Sequence, residues 1–353
     1  MPDTSLKLNQ YRLLGRSGLR VSPLSLGTMT FGESWGCDAA ESARILAHYV
    51  DAGGNFIDTA NFYSQTRSET ILGELVQPNR DRLVIATKYS LGTTPGDPNS
   101  GGNGRKSMMR SVEASLKRLR TDYIDLFYLH IWDATTPVEE IMRGLDDLVR
   151  QGKVVHLGIS DTPAWEVSRM QMLADLRGWA PLVALQIEYS LVQRTAERDL
   201  IPMARALGLG VLPWSPLAMG VLSGKYGSNR PEEAGKAEDG RRAMIARSGR
   251  LSPRALSIAD AVNGVATDLG KSPAQVALAW TLLDEAVTAP ILGVRTLAQL
   301  QDNLGALDVT LGSEHVARLQ EASAIELGFP HDMLARETVR HNLTAGASIR
   351  PRS

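Results

Sequence analysis

Short runs of consecutive apolar residues alternate with longer segments in which apolar positions recur every three or four residues, through most of the chain. The short runs are Leu24–Gly27, Asn55–Thr59, Leu83–Thr87, Tyr123–Leu129, Val154–Ile159, Leu182–Ile187, Gly210–Pro213 and Val287–Ile291, and each reads as a strand. In VIAT and IDLFYL the apolar residues are consecutive, as in strands buried on both faces. Ala39–Ala52, Ser107–Leu119, Val138–Arg150 and Ala196–Leu207 have helical spacing, with glycine stops at Gly53, Gly152 and Gly208. Eight strand units joined by helices predict a (β/α)8 TIM barrel, which closes without an edge. An open doubly wound sheet is the alternative.

Three stretches break the rhythm. A strand-like opening with a turn at Gly15–Gly18 predicts a short N-terminal β-hairpin. From Gly224 to Pro253 the chain is rich in charge, Gly and Pro and too long for an ordinary connection, so a long binding loop is expected after strand 7. The C-terminal tail, residues 328–353, is polar with several Arg, which leaves disorder, a cover for the barrel mouth and contact with a neighbouring subunit all open. One domain is expected over residues 1–353, with its core at about 12–320. A hydrophobic fraction of 43% supplies ample core, and 38 Lys and Arg against 39 Asp and Glu leave no field to draw in nucleic acid. The single Cys37 excludes an intrachain disulfide and fits a reducing compartment. No run approaches the ~18 apolar residues of a membrane span. A cytoplasmic protein acting on a small molecule is expected, without nucleic-acid or membrane partners, as a monomer or homo-oligomer.

In a parallel barrel the active site forms at the C-terminal ends of the strands, so polar residues that close an apolar run are candidates. Asp58 ends NFID, Tyr63 follows in TANFYS, Lys88 ends VIATK and His130 ends IDLFYLH. Each alone has a structural explanation, as helix cap, loop packing, surface cation or satisfied core histidine. Consecutive barrel units would bring all four to one mouth. Reducing a carbonyl needs a hydride for carbon and a proton for the developing alkoxide, and a phenol with a pKa of ~10 is a reluctant donor. A neighbouring Lys88 would lower that value, Asp58 would hold Lys88 charged, and His130 would orient the carbonyl. His130 with Asp133 is the only local His–carboxylate pair, short of the three ligands a metal usually needs. No metal is expected, and a hydrolase or isomerase is the weaker alternative.

DTANFYS, ATK and LFYLH, in this order and spacing, resemble the aldo-keto reductase family, and the resemblance runs from Arg12 to Leu319. DYIDLFYLH followed by Ile131, Trp132 and Asp133 looks most like the bacterial sugar and aldehyde reductase branches and the potassium-channel β-subunits. The resemblance implies an NADPH-dependent carbonyl reductase with Asp58, Tyr63, Lys88 and His130 as its tetrad. A β-subunit-like regulatory module with slow turnover is the alternative.

The Rossmann fingerprint G-x-G-x-x-G is missing, and the resemblance implies NADP(H) held extended across the barrel mouth. It places Gly27, Thr28, Met29 and Asp58 at the nicotinamide end, Ser160, Asp161 and Gln186 at its carboxamide, and Trp214 stacked on the ring. Asp161 departs from the family's usual Asn, and an ionised carboxylate cannot donate. Ser215, Pro216, Leu217 and Gly220 would contact pyrophosphate, with Lys225 as cationic partner, and Gly293, Arg295, Gln299 and Asn303 would hold the adenosine end. Arg295, Gln299 and Asn303 recur every four residues, as on one face of a helix whose N-terminus favours an anion, and Arg295 is expected on a 2′-phosphate. A solvated helix face is the competing explanation. Trp35, Trp132 and Asp133, with Tyr63 and His130, are expected to line a substrate pocket suited to a sugar or hydroxy-aldehyde and equally to an aromatic aldehyde or quinone.

Overall fold

The computed structural model describes residues 6–227 and 250–349, so most of the loop expected after Gly224 lies outside the described residues. A two-stranded antiparallel hairpin, β1 (Arg12–Leu13) and β2 (Arg20–Val21), precedes eight parallel strands. These are β3 (Ser25–Gly27), β4 (Phe56–Asp58), β5 (Val84–Tyr89), β6 (Ile124–Leu129), β7 (Val154–Ser160), β8 (Leu182–Glu188), β9 (Gly210–Trp214) and β10 (Ile291–Gly293). They pair in the order β10-β3-β4-β5-β6-β7-β8-β9. The seam between β9 and β10 is bridged at Val211 and Val287, where Thr288 N–H donates to Val211 O at 2.8 Å. The result is a nearly closed (β/α)8 barrel.

Around it run α1 (Ala39–Asp51), α2 (Arg67–Leu75), α3 (Arg105–Leu119), α4 (Val138–Arg150), α5 (Ala164–Arg177), α6 (Leu200–Leu207), α7 (Pro253–Leu269), α8 (Pro273–Thr281), α9 (Leu297–Leu304) and α10 (Ser313–Ser323). Two elements differ from expectation by more than two residues at a boundary. The eighth strand, expected at Val287–Ile291, is split: residues 287–288 close onto β9, while Ile291–Gly293 pair with β3. Pro290 sits at the switch, where its missing N–H interrupts the ladder. The helix expected at Ala196–Leu207 begins at Leu200, because Arg194 grips Glu197 and Ser323 and holds Thr195–Glu197 as a separate turn. In the tail, α11 (His331–Leu334) and α12 (Glu337–Leu343) bury no side chain.

The barrel interior shows why the site sits where it does. Alternate strand residues face one way, and Phe56, Val84, Ala86, Leu126, Tyr128, Ala184 and Leu212 form one apolar cluster inside the strands. Two positions beyond Phe56, Ala86, Tyr128, Ala184 and Leu212 stand Asp58, Lys88, His130, Gln186 and Trp214. Strand parity therefore gives the interior a polar top layer over an apolar floor. Leu14 and Val21 of the hairpin belong to the same cluster and plug the opposite end.

Gly15 is where that plug meets the barrel. Its φ is +54°, and an added Cβ would stand 2.3 Å from Val183 O, a fixed main-chain atom. Left-handed strain and overpacking against backbone together predict a loss of ~2–4 kcal/mol for Gly15→Ala in chemical denaturation. Gly18→Ala, at a position with nothing within 4 Å of the new Cβ, is the control and should leave stability within ~0.5 kcal/mol of wild type.

Candidate active site

Lys88 is fully buried at the top of β5. Its ammonium donates to Asp58 Oδ1 at 2.5 Å, to Thr59 O at 2.9 Å and to the Tyr63 hydroxyl at 3.1 Å, so all three N–H donors are matched. The second Asp58 oxygen accepts from Gln186 Nε2 at 2.8 Å, across the barrel from β8. His130 stands edge-on to Tyr63, with ring centroids 5.9 Å apart. The four sequence candidates thus share one mouth.

Burial pushes the Lys88 ammonium toward losing its proton, but Asp58 and Tyr63 outweigh this and its pKa lies above the ordinary lysine value. For Tyr63 the balance corrects the expectation. Burial raises the phenol, Lys88 only partly offsets it, and the net shift is upward. Burial and the Lys88 charge push His130 down to about 3, so its imidazole is neutral at pH 7. Buried His130 Nδ1 has no hydrogen-bond partner among the described residues.

The Tyr63 loop is strained. Ser64, Gln65 and Thr66 have φ of 52°, 54° and 76°, a left-handed run without glycine. Ser64 Oγ anchors it by donating to Phe31 O at 2.6 Å, and Ser68 Oγ donates to Thr28 O at 2.7 Å.

Other expected residues gather around this centre. Ser160 and Gln186 face each other in register on β7 and β8. Asp161, at φ 37°, accepts from Trp214 Nε1 at 3.0 Å. Burial raises its carboxyl despite that bond, which moves it toward the protonated form that can donate. Gly27 answers to packing, since a Cβ there would meet Ile291 Cγ2 at 2.8 Å, and the Thr28 hydroxyl bonds to Asp58 O and Ser68. Met29 is exposed at the rim. After β9, Ser215, Ala218, Met219 and Gly220 all have positive φ, Pro216 is buried, and Lys225 is exposed.

The adenosine-end expectation needs correction. Arg295 precedes Thr296, the N-cap of α9, and so lies outside the helix that carries Gln299 and Asn303. Gln299 Oε1 accepts from Arg295 N at 2.9 Å, and Asn303 is buried. The helix N-terminus is already capped, because Leu297 N–H donates to the Glu41 carboxylate at 2.7 Å. Arg295 Nη1 reaches Trp35 O at 3.4 Å, joining the substrate-side and adenosine-side candidates. Gly293 has open space where a Cβ would be.

Asp133, expected in the pocket, binds its own loop: it accepts from Asn103 N, Thr135 N, Thr136 N and Thr136 Oγ1 at 2.7–2.9 Å. Burial alone would raise its carboxyl, but those bonds hold it down at about 2. Trp132 packs edge-on against the exposed Trp165, with centroids 5.7 Å apart. Thr59 O, Ser90 and Asn103 were not legible as site residues. The run GGNG around Asn103 marks only a turn.

Residues 23–324 match the Aldo/keto reductase family. The chain belongs to that family. It is 38% identical to a norsolorinic acid reductase of Aspergillus flavus, over 98% of this chain and 89% of the relative. It is 39% identical to an aryl-alcohol dehydrogenase [NADP(+)] of Phanerodontia chrysosporium, over 94% and 90%. With norsolorinic acid reductase B of Aspergillus parasiticus it shares 40%, over 95% and 90%. All three are fungal, so they do not share the bacterial affinity that DYIDLFYLH suggested. As a member of the aldo/keto reductase family the chain is a nicotinamide-dependent oxidoreductase that reduces carbonyl groups. No helix among the described residues is long and apolar enough to cross a membrane.

The residues present fit such a cofactor. Buried Ser160 Oγ has no hydrogen-bond partner among the described residues, and it lies beside Gln186 and Asp161 at the strand ends, where a carboxamide would satisfy it.

The neutral His130 has a cost in acid. Unfolded His130 takes up a proton below its ordinary 6.5, while the folded imidazole resists until about 3, so folding stability falls as pH drops through that window. His130→Gln removes the effect. Between pH 7 and about pH 5 the variant should lose ~2 kcal/mol less unfolding free energy than wild type. Equal losses in urea titrations of both proteins would show that His130 protonates freely.

Proposed function

We propose that this chain reduces an aromatic aldehyde or ketone with NADPH, Tyr63 delivering the proton to the carbonyl oxygen. The observation that carries the reading is the part-buried contact of Lys88 with Tyr63 at 3.1 Å, backed by Asp58 at 2.5 Å. Because the ammonium donates to the phenol oxygen, the hydroxyl hydrogen of Tyr63 is left to point away from Lys88, toward the mouth. The phenol is neutral at pH 7 and so stands loaded for reduction. Neutral His130 donates a ring N–H to the same carbonyl oxygen and sets its approach to Tyr63. When bound, the nicotinamide supplies the hydride. Ser160, Gln186 and Asp161 hold its carboxamide, the Trp214 ring is its platform, and the loop from Ser215 to Gly220 with Lys225 meets the pyrophosphate.

The aromatic preference rests on the Trp132–Trp165 pair beside the mouth, which offers flat apolar surface, and on relatives whose names include aryl-alcohol dehydrogenase. With Asp133 committed to its loop, little in this wall is left to recognise sugar hydroxyls.

Tyr63→Phe should lower kcat for an aryl aldehyde by ~10²–10⁴ while NADPH affinity by fluorescence titration stays within about twofold. Since Tyr63 is raised and His130 is far below neutrality, wild-type kcat for reduction should be flat from about pH 5 to about pH 9 and fall only as Tyr63 ionises. Near-wild-type turnover in Tyr63→Phe would remove Tyr63 from the reaction. Slow turnover of every carbonyl by wild type would favour a regulatory role.

Coenzyme choice turns on Arg295. With Glu41 occupying the α9 N-terminus, the guanidinium itself is the group left to read a 2′-phosphate, through charge-assisted hydrogen bonds. Arg295→Ala should weaken NADPH binding by about one to two orders of magnitude, with NADH nearly unaffected. Equal losses for both coenzymes in parallel titrations would assign Arg295 to loop support alone.

A further inference from the structure

The wall behind His130 is built from a buried polar cluster that the reaction itself does not use. Ser90 follows β5 with φ 112°, a conformation L-residues rarely adopt. Its hydroxyl oxygen accepts from His130 N–H at 3.1 Å and from Asn103 Nδ2 at 3.0 Å. Fully buried Asn103 donates again from Nδ2 to Ile131 O at 2.9 Å, so it ties Ser90 to the residue that follows the ring-bearing position. Asn103 and Asp133 then close a reciprocal pair: Asn103 N donates to Asp133 Oδ2, and Asp133 N donates to Asn103 Oδ1, each at 2.7 Å. Ser90 O also accepts from Gly102 N at 2.7 Å. Two connections, one from β5 to α3 and one from β6 to α4, are thus locked into a single body.

We propose that Ser90, Asn103 and Asp133 are positioning residues that set the placement of His130 over the substrate carbonyl and, through the loop Asp133 organises, the placement of Trp132 in the pocket wall. Three observations carry this. The cluster contacts His130 at its main-chain N–H and the next residue at its carbonyl, which are the atoms that fix where the ring projects. Strain at a functional site persists only where surrounding bonds over-determine it, and Ser90 is held by three. Trp132 N–H also reaches Asp161 O at 3.4 Å, and Asp161 binds Trp214, so the cluster joins the substrate wall to the ring platform. His130 N–H has a second acceptor, Tyr89 O at 3.0 Å, in the sheet ladder. The ladder sets the height of the residue, and the Ser90 hydroxyl adds the lateral restraint.

The inference rests on the reading of His130 as the group that orients the carbonyl, and the test separates the two. Ser90→Gly relieves the φ 112° strain, so it folds, while removing the hydroxyl. Steady-state reduction of an aryl aldehyde by NADPH is measured in wild type, Ser90→Gly, His130→Ala and the double variant, with NADPH affinity alongside. Expected are a fall of about 10- to 100-fold in kcat/KM for Ser90→Gly, an unchanged NADPH dissociation constant, and no additional loss when it is combined with His130→Ala. Asn103→Asp, which keeps the acceptor for Asp133 N but loses both donations, should fall in the same direction. Wild-type kcat and KM in Ser90→Gly, with His130→Ala impaired, would overturn the proposal. So would the same fractional loss in the presence and absence of the imidazole, because the cluster would then act elsewhere. If His130→Ala is fully active, the reading of His130 fails first and takes its positioning cluster with it.

Discussion

The arrangement depends on one buried cation. An ammonium taken out of water costs several kcal/mol unless each donor finds a partner, and Lys88 finds Asp58, Thr59 O and Tyr63. Those partners come from the end of β4 and the loop behind it, while Gln186 on β8 reaches across the interior to the remaining Asp58 oxygen. Any displacement of one strand end therefore leaves a charge uncompensated. The same bonds that place the phenol also fix the C-terminal rim of the barrel, so stability and geometry cannot be tuned apart here.

Around that cation the chain accepts strained backbone. Ser64, Gln65 and Thr66 take left-handed φ without glycine, Ser90 lies further out at φ 112°, and Ser215, Ala218 and Met219 repeat the feature after β9. Such conformations cost of order 1–3 kcal/mol each. Each strained serine on the substrate side has a specific restraint, Ser64 through Phe31 O and Ser90 through Asn103 and His130. The rigid parallel strands supply the fixed frame, and most of the left-handed non-glycine backbone lies in the connections that follow their C-terminal ends, with Arg120 after α3 and Ala345 in the tail outside them.

Much of this was legible in the sequence because a parallel barrel gathers the residues that close its strands at one mouth. Consecutive apolar runs gave the eight strands, the polar residues that close three of them gave Asp58, Lys88 and His130, and Gln186 and Trp214 came only through the family resemblance. What the sequence did not show was which distant residues would claim particular polar groups. Arg295, Gln299 and Asn303 have helical spacing, yet Glu41 caps the helix from α1 and Arg295 stands before it. Asp133 had the look of a pocket carboxylate beside Trp132, but Asn103, thirty residues earlier, draws it into the loop. The sign of the Tyr63 shift was equally hidden, because charge proximity can be read from neighbours while the desolvation that outweighs it depends on the finished barrel.

That last sign bears on the protonation state in which the site rests. In the proposed reduction an alkoxide would develop beside Tyr63 and His130, and the group that protonates it must hold its proton beforehand. Burial keeps the phenol protonated and the imidazole neutral, while Asp58 keeps Lys88 charged. The fixed positive charge sits directly behind the phenol oxygen, where it stabilises phenolate once the proton has left and does little while it remains. Only a phenol pKa lowered below neutrality would have emptied the acid before substrate arrived. The net upward shift makes the phenol a weaker acid in itself, and the ammonium at 3.1 Å offsets part of the cost of forming phenolate as the proton leaves.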